Sequence, residues 1–147
     1  MSSFVLGYNA KLYRNTGTHG SPTWVEMTNV KDLTLNMDLD EADVTTRGNA
    51  GWKANVATLL DGSIEFEMVY DPTDASFTAV QTAFFTRAAI EFAAMDGPIA
   101  TTGSQGLKAT CMVKQFSVEE KLAEALTVKV TIKPTYSVNP PAWYTAP

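Results

Sequence analysis

Residues 33–40 read Leu33-Thr34-Leu35-Asn36-Met37-Asp38-Leu39-Asp40. Leu33, Leu35, Met37 and Leu39 fall on one side of an extended chain, and Thr34, Asn36, Asp38 and Asp40 on the other. A period of two is the signature of a strand with one apolar face and one wet face. The design returns at Ser63–Tyr70, where Ile64, Phe66, Met68 and Tyr70 oppose Glu65, Glu67 and Val69. It returns again at Ala125–Tyr136, where Leu126, Val128, Val130 and Ile132 alternate with Thr127, Lys129, Thr131 and Lys133. Shorter runs at Ala10–Arg14, Trp24–Met27 and Ile90–Met95 read as further strands.

Leu107–Val118 is a strand that changes phase. Leu107, Ala109, Cys111 and Val113 keep odd numbers, whereas Phe116 and Val118 keep even ones. One extra residue at Lys114-Gln115 would flip the facing, so a β-bulge is predicted there, and a bend at that point could carry the strand into another sheet. One helix interrupts the strands. Asp71 is the expected N-cap, Pro72 suits the first helical position and Asp74 favours the positive helix end. Phe77, Val80, Phe84 and Ala88 then share one helical face, and Arg87 lies in the last turn. Asp96-Gly97-Pro98 reads as a turn.

Two stretches fit neither period. Glu41–Gly62 exceeds a routine connection, yet holds Arg47, Trp52, Leu59 and Leu60, so a long loop or flexible hairpin that orders on a partner is expected. The Pro-rich tail, about residues 137–147, cannot be a central strand. Its prolines favour an extended form, and Trp143 and Tyr144 suggest docking on the chain itself or on a neighbour. No repeat or linker is visible. The expectation is one domain over residues 1–147 with about seven strands: a mainly β chain with one flanking α-helix, built as a β-sandwich or barrel. To this are added an extended N-terminal arm at about residues 1–8 and the long loop at about 41–62.

The chain has 147 residues, 18% charged and 45% hydrophobic, with net charge −5. Affinity for phosphate comes from clustered Lys and Arg, so an acidic chain is a poor candidate for gripping nucleic acid. The single cysteine, Cys111, allows no internal disulfide, which favours an intracellular folding compartment. Residues 1–7 lack a basic n-region and do not read as a signal peptide. No run approaches the roughly 18 apolar residues of a membrane span.

Catalytic signals are weak. His19 is the only histidine and sits in the turn-like Thr16-Gly17-Thr18-His19-Gly20, with no Gly-x-Ser-x-Gly elbow to partner it, so an exposed loop histidine is expected. Cys111 falls in the apolar phase of its strand and reads as a buried structural thiol. Asp38, Asp40, Glu41 and Asp43 lack the glycine and terminal glutamate of a calcium loop, and nothing has zinc spacing. No metal, cofactor or catalytic residue is expected. Glu65 and Glu67 leave three readings open: a paired-carboxylate glycosidic site, a plain polar strand face, or part of an acidic channel wall. Acids dominate Asp38–Asp43 and Asp61–Asp74, while most lysines lie between Lys108 and Lys133, a division that a heterologous contact between copies could use.

The order of these pieces resembles the tail tube (major tail) proteins of long-tailed bacteriophages. The matching features are the Asn29–Leu35 strand opening, the acidic run ending in Asp43-Val44-Thr45-Thr46-Arg47, then Gly51-Trp52 and Leu60–Phe66. They continue with the Asp71-Pro72 helix start and the paired strands Val113–Ser117 and Leu126–Lys133, so the resemblance covers roughly residues 8–136. It implies a β-sandwich or barrel protomer of the tail-tube type that assembles as stacked, hexameric rings through which DNA passes without sticking. It further implies an outer helix and an inter-ring loop. Matching by position gives that loop Asp43, Thr45, Arg47, Trp52 and Lys53. Glu65, Glu67, Asp38 and Asp40 are the lumen-facing candidates. The implied partners are the chain itself and tape-measure, tail-tip and tail-terminator proteins, with no membrane. The implied location is the virion tail, after assembly in the host bacterial cytoplasm. Alternatives are the inner tube of a phage-derived contractile particle or secretion system, a carbohydrate-binding β-sandwich using Trp24, Trp52 or Trp143, and a small hydrolase using Glu65 and Glu67.

Overall fold

The structure is a computed structural model that describes residues 4, 6–120 and 122–147. Among the described residues there are eight strands, β1 (Lys11–Asn15), β2 (Trp24–Glu26), β3 (Val30–Asp43), β4 (Asn55–Val69), β5 (Ala89–Met95), β6 (Gln105–Glu119), β7 (Thr127–Pro134) and β8 (Ala142–Thr145), and one helix, α1 (Ala75–Thr86). Short 3-10 turns occupy Gly7–Asn9 and Arg47–Asn49. The strands join in one antiparallel sheet in the order β2-β1-β5-β6-β7-β4-β3, with β8 also on β6.

The alternation seen in the sequence places the core. Ile64, Phe66 and Met68 of β4 and Val128, Val130 and Ile132 of β7 are all buried. Full burial of such a side chain stabilises by about 1.5–3 kcal/mol. Leu12 of β1 and the partly buried Leu33 and Leu35 of β3 pack into the same cluster, although β1 and β3 stand near opposite ends of the strand order. The sheet therefore curls around its core as an open barrel. α1 covers one side of it. Phe77 lies edge-on to Tyr70 with centroids 5.1 Å apart, and Phe84 stacks on Phe116 of β6 at 5.9 Å.

β6 has its bulge where the phase flips, between Val113 and Gln115 against β7. It does not cross to another sheet. Residues 106–112 pair with β5 and residues 111–119 with β7, so the strand keeps one sheet and changes neighbours along its length.

Several details differ from the sequence reading. The N-cap of α1 is Asp74, whose side chain accepts from Ser76 N, not Asp71. Asp71 is spent one turn earlier, accepting from Thr73 N at 3.0 Å and Thr73 Oγ1 at 2.6 Å, while Asp74 N bonds to Asp71 O. Pro72 thus belongs to that turn. Thr73's hydroxyl, then its N–H, hold the Asp71 carboxyl below its ordinary range. Arg87 is not in the last helical turn but just past it, left-handed at φ 59°, and Ala88 lies outside the helix with its N–H on Ala83 O. That is the closure with which helices commonly end. Of the N-terminal arm, residues 1–3 and 5 lie outside the described residues, and Gly7–Asn9 is a turn rather than extended chain. The Pro-rich tail docks on its own protomer. β8 pairs with residues 105–108 of β6, and Trp143 Nε1 donates to Gln105 Oε1 at 3.0 Å.

Candidate functional site

The segment expected as a long loop or flexible hairpin over residues 41–62 is a hairpin, half of it strand. β3 continues to Asp43 and β4 begins at Asn55, so only residues 44–54 are irregular. Sequence periodicity fails there because both faces of the ribbon are exposed, and with no core to face, nothing selects alternating residue types. Beyond the Met37↔Gly62 and Asp38↔Asp61 pairs, β3 and β4 stand alone, since β7 pairs with β4 only from Ile64 onward. A two-stranded arm therefore projects from the barrel. A bulge between Leu39 and Glu41 adds one residue to β4 and twists the arm.

The arm's tip is knitted by its own polar groups. Asp43 Oδ1 accepts from Thr45 N at 2.9 Å and Thr45 Oγ1 at 2.5 Å, and Thr45 Oγ1 accepts from Ala54 N at 2.9 Å. The Thr45 hydroxyl, then its N–H, lower the Asp43 pKa. Asn49 Nδ2 donates to Trp52 O at 2.8 Å, and Ala50 and Gly51 turn the chain through positive φ. Thr45, Arg47, Trp52 and Lys53 line one open depression. Four of the five residues expected in an inter-ring loop thus meet there, with Asp43 bonded to Thr45 beside them. Trp52 is 76% exposed. Leu39, Val44, Val56, Leu59 and Leu60 along the arm are also exposed.

The second feature is the outer face of β3-β4-β7-β6. Thr34 stands opposite Glu65 and Asp32 opposite Glu67, and the row continues through Thr131 and Lys129 to Gln115 and Ser117. Asp38 pairs with Asp61 further along the same face, and Lys133 Nζ lies 3.6 Å from Asp61. Glu65, Glu67 and Asp38 therefore share one face, whereas Asp40 sits at the arm's bulge, outside the regular register. Sequence reading missed Asp32 and Asp61 as members. Extending each alternation by one step, from Thr34 back to Asp32 and from Ser63 back to Asp61, would have found them. Glu119 beside Lys129 at 2.9 Å raises the lysine's pKa, with Glu67 adding to the effect.

The other candidates have structural partners. His19 Nδ1 lies 2.6 Å from Glu91 Oε2, and Asn15 Nδ2 donates to Glu91 Oε1 at 2.8 Å, so the loop histidine is clasped to β5. Cys111 is fully buried, and burial pushes its thiol up to about 12. The reactive species is the thiolate, so Cys111 should resist iodoacetamide at neutral pH for hours and label quantitatively once guanidinium unfolds the chain. Mass spectrometry of both reactions checks this; rapid native labelling would show that β5 and β6 open readily. Among the described residues, no group of three His, Cys, Asp or Glu side chains could hold a metal, and no helix is long and apolar enough to cross a membrane.

The chain has relatives among known proteins, in sequence family and in overall fold. Residues 9–135 match the family model described as phage tail tube protein. The chain belongs to the phage tail tube protein family. This tail tube protein also resembles solved structures in fold. A subunit from the tail of an empty gene transfer agent particle, refined with C6 symmetry, gives a TM-score of 0.71 at 14% identity, covering 95% of this chain and 97% of that one. The SPP1 tail tube gives 0.67 at 11% identity, over 88% and 74%. A chain of the anti-feeding prophage baseplate, six-fold symmetrised, gives 0.64 at 8% identity, over 99% of both. No curated protein sequence matches. As a tail tube protein, the chain is a structural component of a tail, and its mainly β fold with one helix is that of these tubes.

Proposed function

We propose that the protein works by assembly rather than catalysis, closing into rings that stack as a DNA conduit. The observation that supports this reading best is a pair of open seams on the four-stranded polar sheet. β3 is the last strand of the order, so among the described residues its outer edge has no partner strand along Val30–Asp43. On the far side, β5 pairs with β6 only up to Met112, which among the described residues leaves that edge of residues 113–119 without a strand. Unpaired edges are a standing aggregation hazard, and pairing them between copies removes it. β3 of one copy against residues 113–119 of β6 in the next would continue β3-β4-β7-β6 around a closed ring. The six-fold symmetry in the descriptions of related particles supports six copies.

The polar face is then the lumen wall. It presents Asp32, Asp38, Asp61, Glu65, Glu67 and Glu119 against Lys129 and Lys133. A surplus of carboxylates repels phosphate, so DNA passes without being held. Asp43, Thr45, Arg47, Trp52 and Lys53 on the arm make the contact between rings. A heterologous stack has no natural end, which leaves length and termini to tape-measure, tail-tip and tail-terminator proteins, with assembly in the host cytoplasm. The likeness to the anti-feeding prophage chain supports a second reading, the inner tube of a contractile particle. A sheath gene beside this one would favour it.

Negative-stain images of the purified protein at rising concentration should show rings and tubes; a monomer at every concentration would refute the reading. The variant combining Arg47→Ala and Trp52→Ala should stay folded by circular dichroism and form rings that do not stack. Both residues are exposed, and Arg and Trp are the types that dominate interface energies, at about 2 kcal/mol or more each. Normal tubes from this variant would remove the tip from the inter-ring contact.

A further inference from the structure

The barrel is open on one side. Between β3 and the β1–β2 pair lies a cleft of about 630 Å³. Leu12 and Met27, both buried, and the partly buried Leu33 form its apolar lining. Lys11, Glu26, Lys31 and Asp32 border it, with Lys11 Nζ 2.8 Å from Glu26 Oε1. Two lysines and two acids leave this border with no net charge, so the cleft suits an apolar group better than an ion, whose burial would need a partner.

The opposite flank of the protomer presents such a group. α1 packs on Phe116, in the segment of β6 whose edge is open. The Phe77 and Phe84 rings lie 5.8 Å and 5.9 Å from that of Phe116. Phe85 stands edge-on to Phe84 at 5.3 Å and is 70% exposed. An aromatic row thus starts at the open edge and ends in an uncovered phenyl group. Its contact with Phe84 restrains it in advance, which lowers the entropy lost when it is buried.

Phe116 and Leu33 lie in one row across the sheet, through Val130 and Phe66, on the face away from the carboxylates. A seam of β3 against residues 113–119 therefore brings α1 of one copy to the side of the neighbour's β3 on which the cleft opens. We propose that this cleft receives Phe85 from α1 of the adjacent copy in the ring. The contact rests on the ring reading and adds an apolar layer behind the seam. It is heterologous, so each copy gives one phenyl group and accepts one.

Substitutions on the two flanks test it. Phe85→Ser removes the knob, and Thr28→Trp fills the cleft from its border. Both residues are exposed, so each variant should melt within roughly two degrees of wild type. Sedimentation velocity at rising concentration should show assembly beginning at a concentration at least about ten-fold higher for each, since a buried aromatic anchor contributes that much or more to an interface. The double variant should need no more protein than the weaker of the two single variants, because the filled cleft no longer meets a phenyl group. Assembly at the wild-type concentration in either single variant, or two effects that multiply in the double variant, would overturn the contact and leave the seam standing. A wild-type protein that forms no rings at any concentration would overturn both.

Discussion

Gly106→Ala is expected to lower the melting temperature by roughly 10 °C or more, following a loss of about 3 kcal/mol. A Cβ at Gly106 would lie 1.9 Å from Ala94 O, 2.7 Å from Ala94 C and 2.8 Å from Met95 Cα. All three are backbone atoms of β5, so no side chain can rotate away. Gly106 is also fixed from the other side, where it pairs with Tyr144 of β8. The only relief is to separate β5 from β6, which uncovers Ala94 and Met95 and loosens the cluster in which Tyr13 and Tyr144 pack against Met95. A domain has about 5–15 kcal/mol of total stability, so this single methyl group threatens soluble yield as well. Gly20→Ala is the matched control, since nothing lies within 4 Å of its would-be Cβ. Thermal melts of the two variants check the argument, and a Gly106→Ala protein within two or so degrees of wild type would show that the strands yield more easily than this packing allows.

Gly106 also marks a limit of the sequence reading. Strands with one dry face were legible, because burial selects every second residue: Ile64, Phe66 and Met68, or Val128, Val130 and Ile132. The bulge in β6 was legible for the same reason, as a slip in that selection. What local periodicity cannot carry is contact between distant segments. The crowding at Gly106 comes from β5, and the clasp on His19 comes from Glu91, 72 residues away. The choice of Asp74 over Asp71 as the helix cap turned on Thr73 capturing the first carboxylate, a competition between two good signals three residues apart. The candidate site was half legible. Arg47 and Trp52 stood out by residue type and Lys53 only by matching position with the family, but the arm beneath them did not read as strand, because neither of its faces is buried in the protomer.

That exposure leads to the expected outcome of removing the arm. Replacing residues 38–61 with Asn-Gly, a sequence that favours the two-residue hairpin turn, should join Met37 to Gly62 where they already pair. The shortened protein should fold with stability within about 1 kcal/mol of wild type and form no tubes at any concentration. None of the deleted residues belongs to a core cluster. The loss of the Lys133–Asp61 contact costs little, because exposed pairs contribute about 0–1 kcal/mol. A two-stranded ribbon with no third strand or packed face is marginal in water, so the protomer gains little by keeping it. Yet the arm carries Leu39, Val44, Trp52, Val56, Leu59 and Leu60, all exposed. Each could yield up to about 1.5–3 kcal/mol if buried, less the entropy of association. Such side chains on a projecting ribbon gain burial only against another surface, so on the stacked-ring reading the shaft is expected to lie along a neighbouring protomer. Size-exclusion chromatography and negative-stain imaging of the shortened protein check this, and tubes of normal diameter and length would show that the arm is dispensable to assembly.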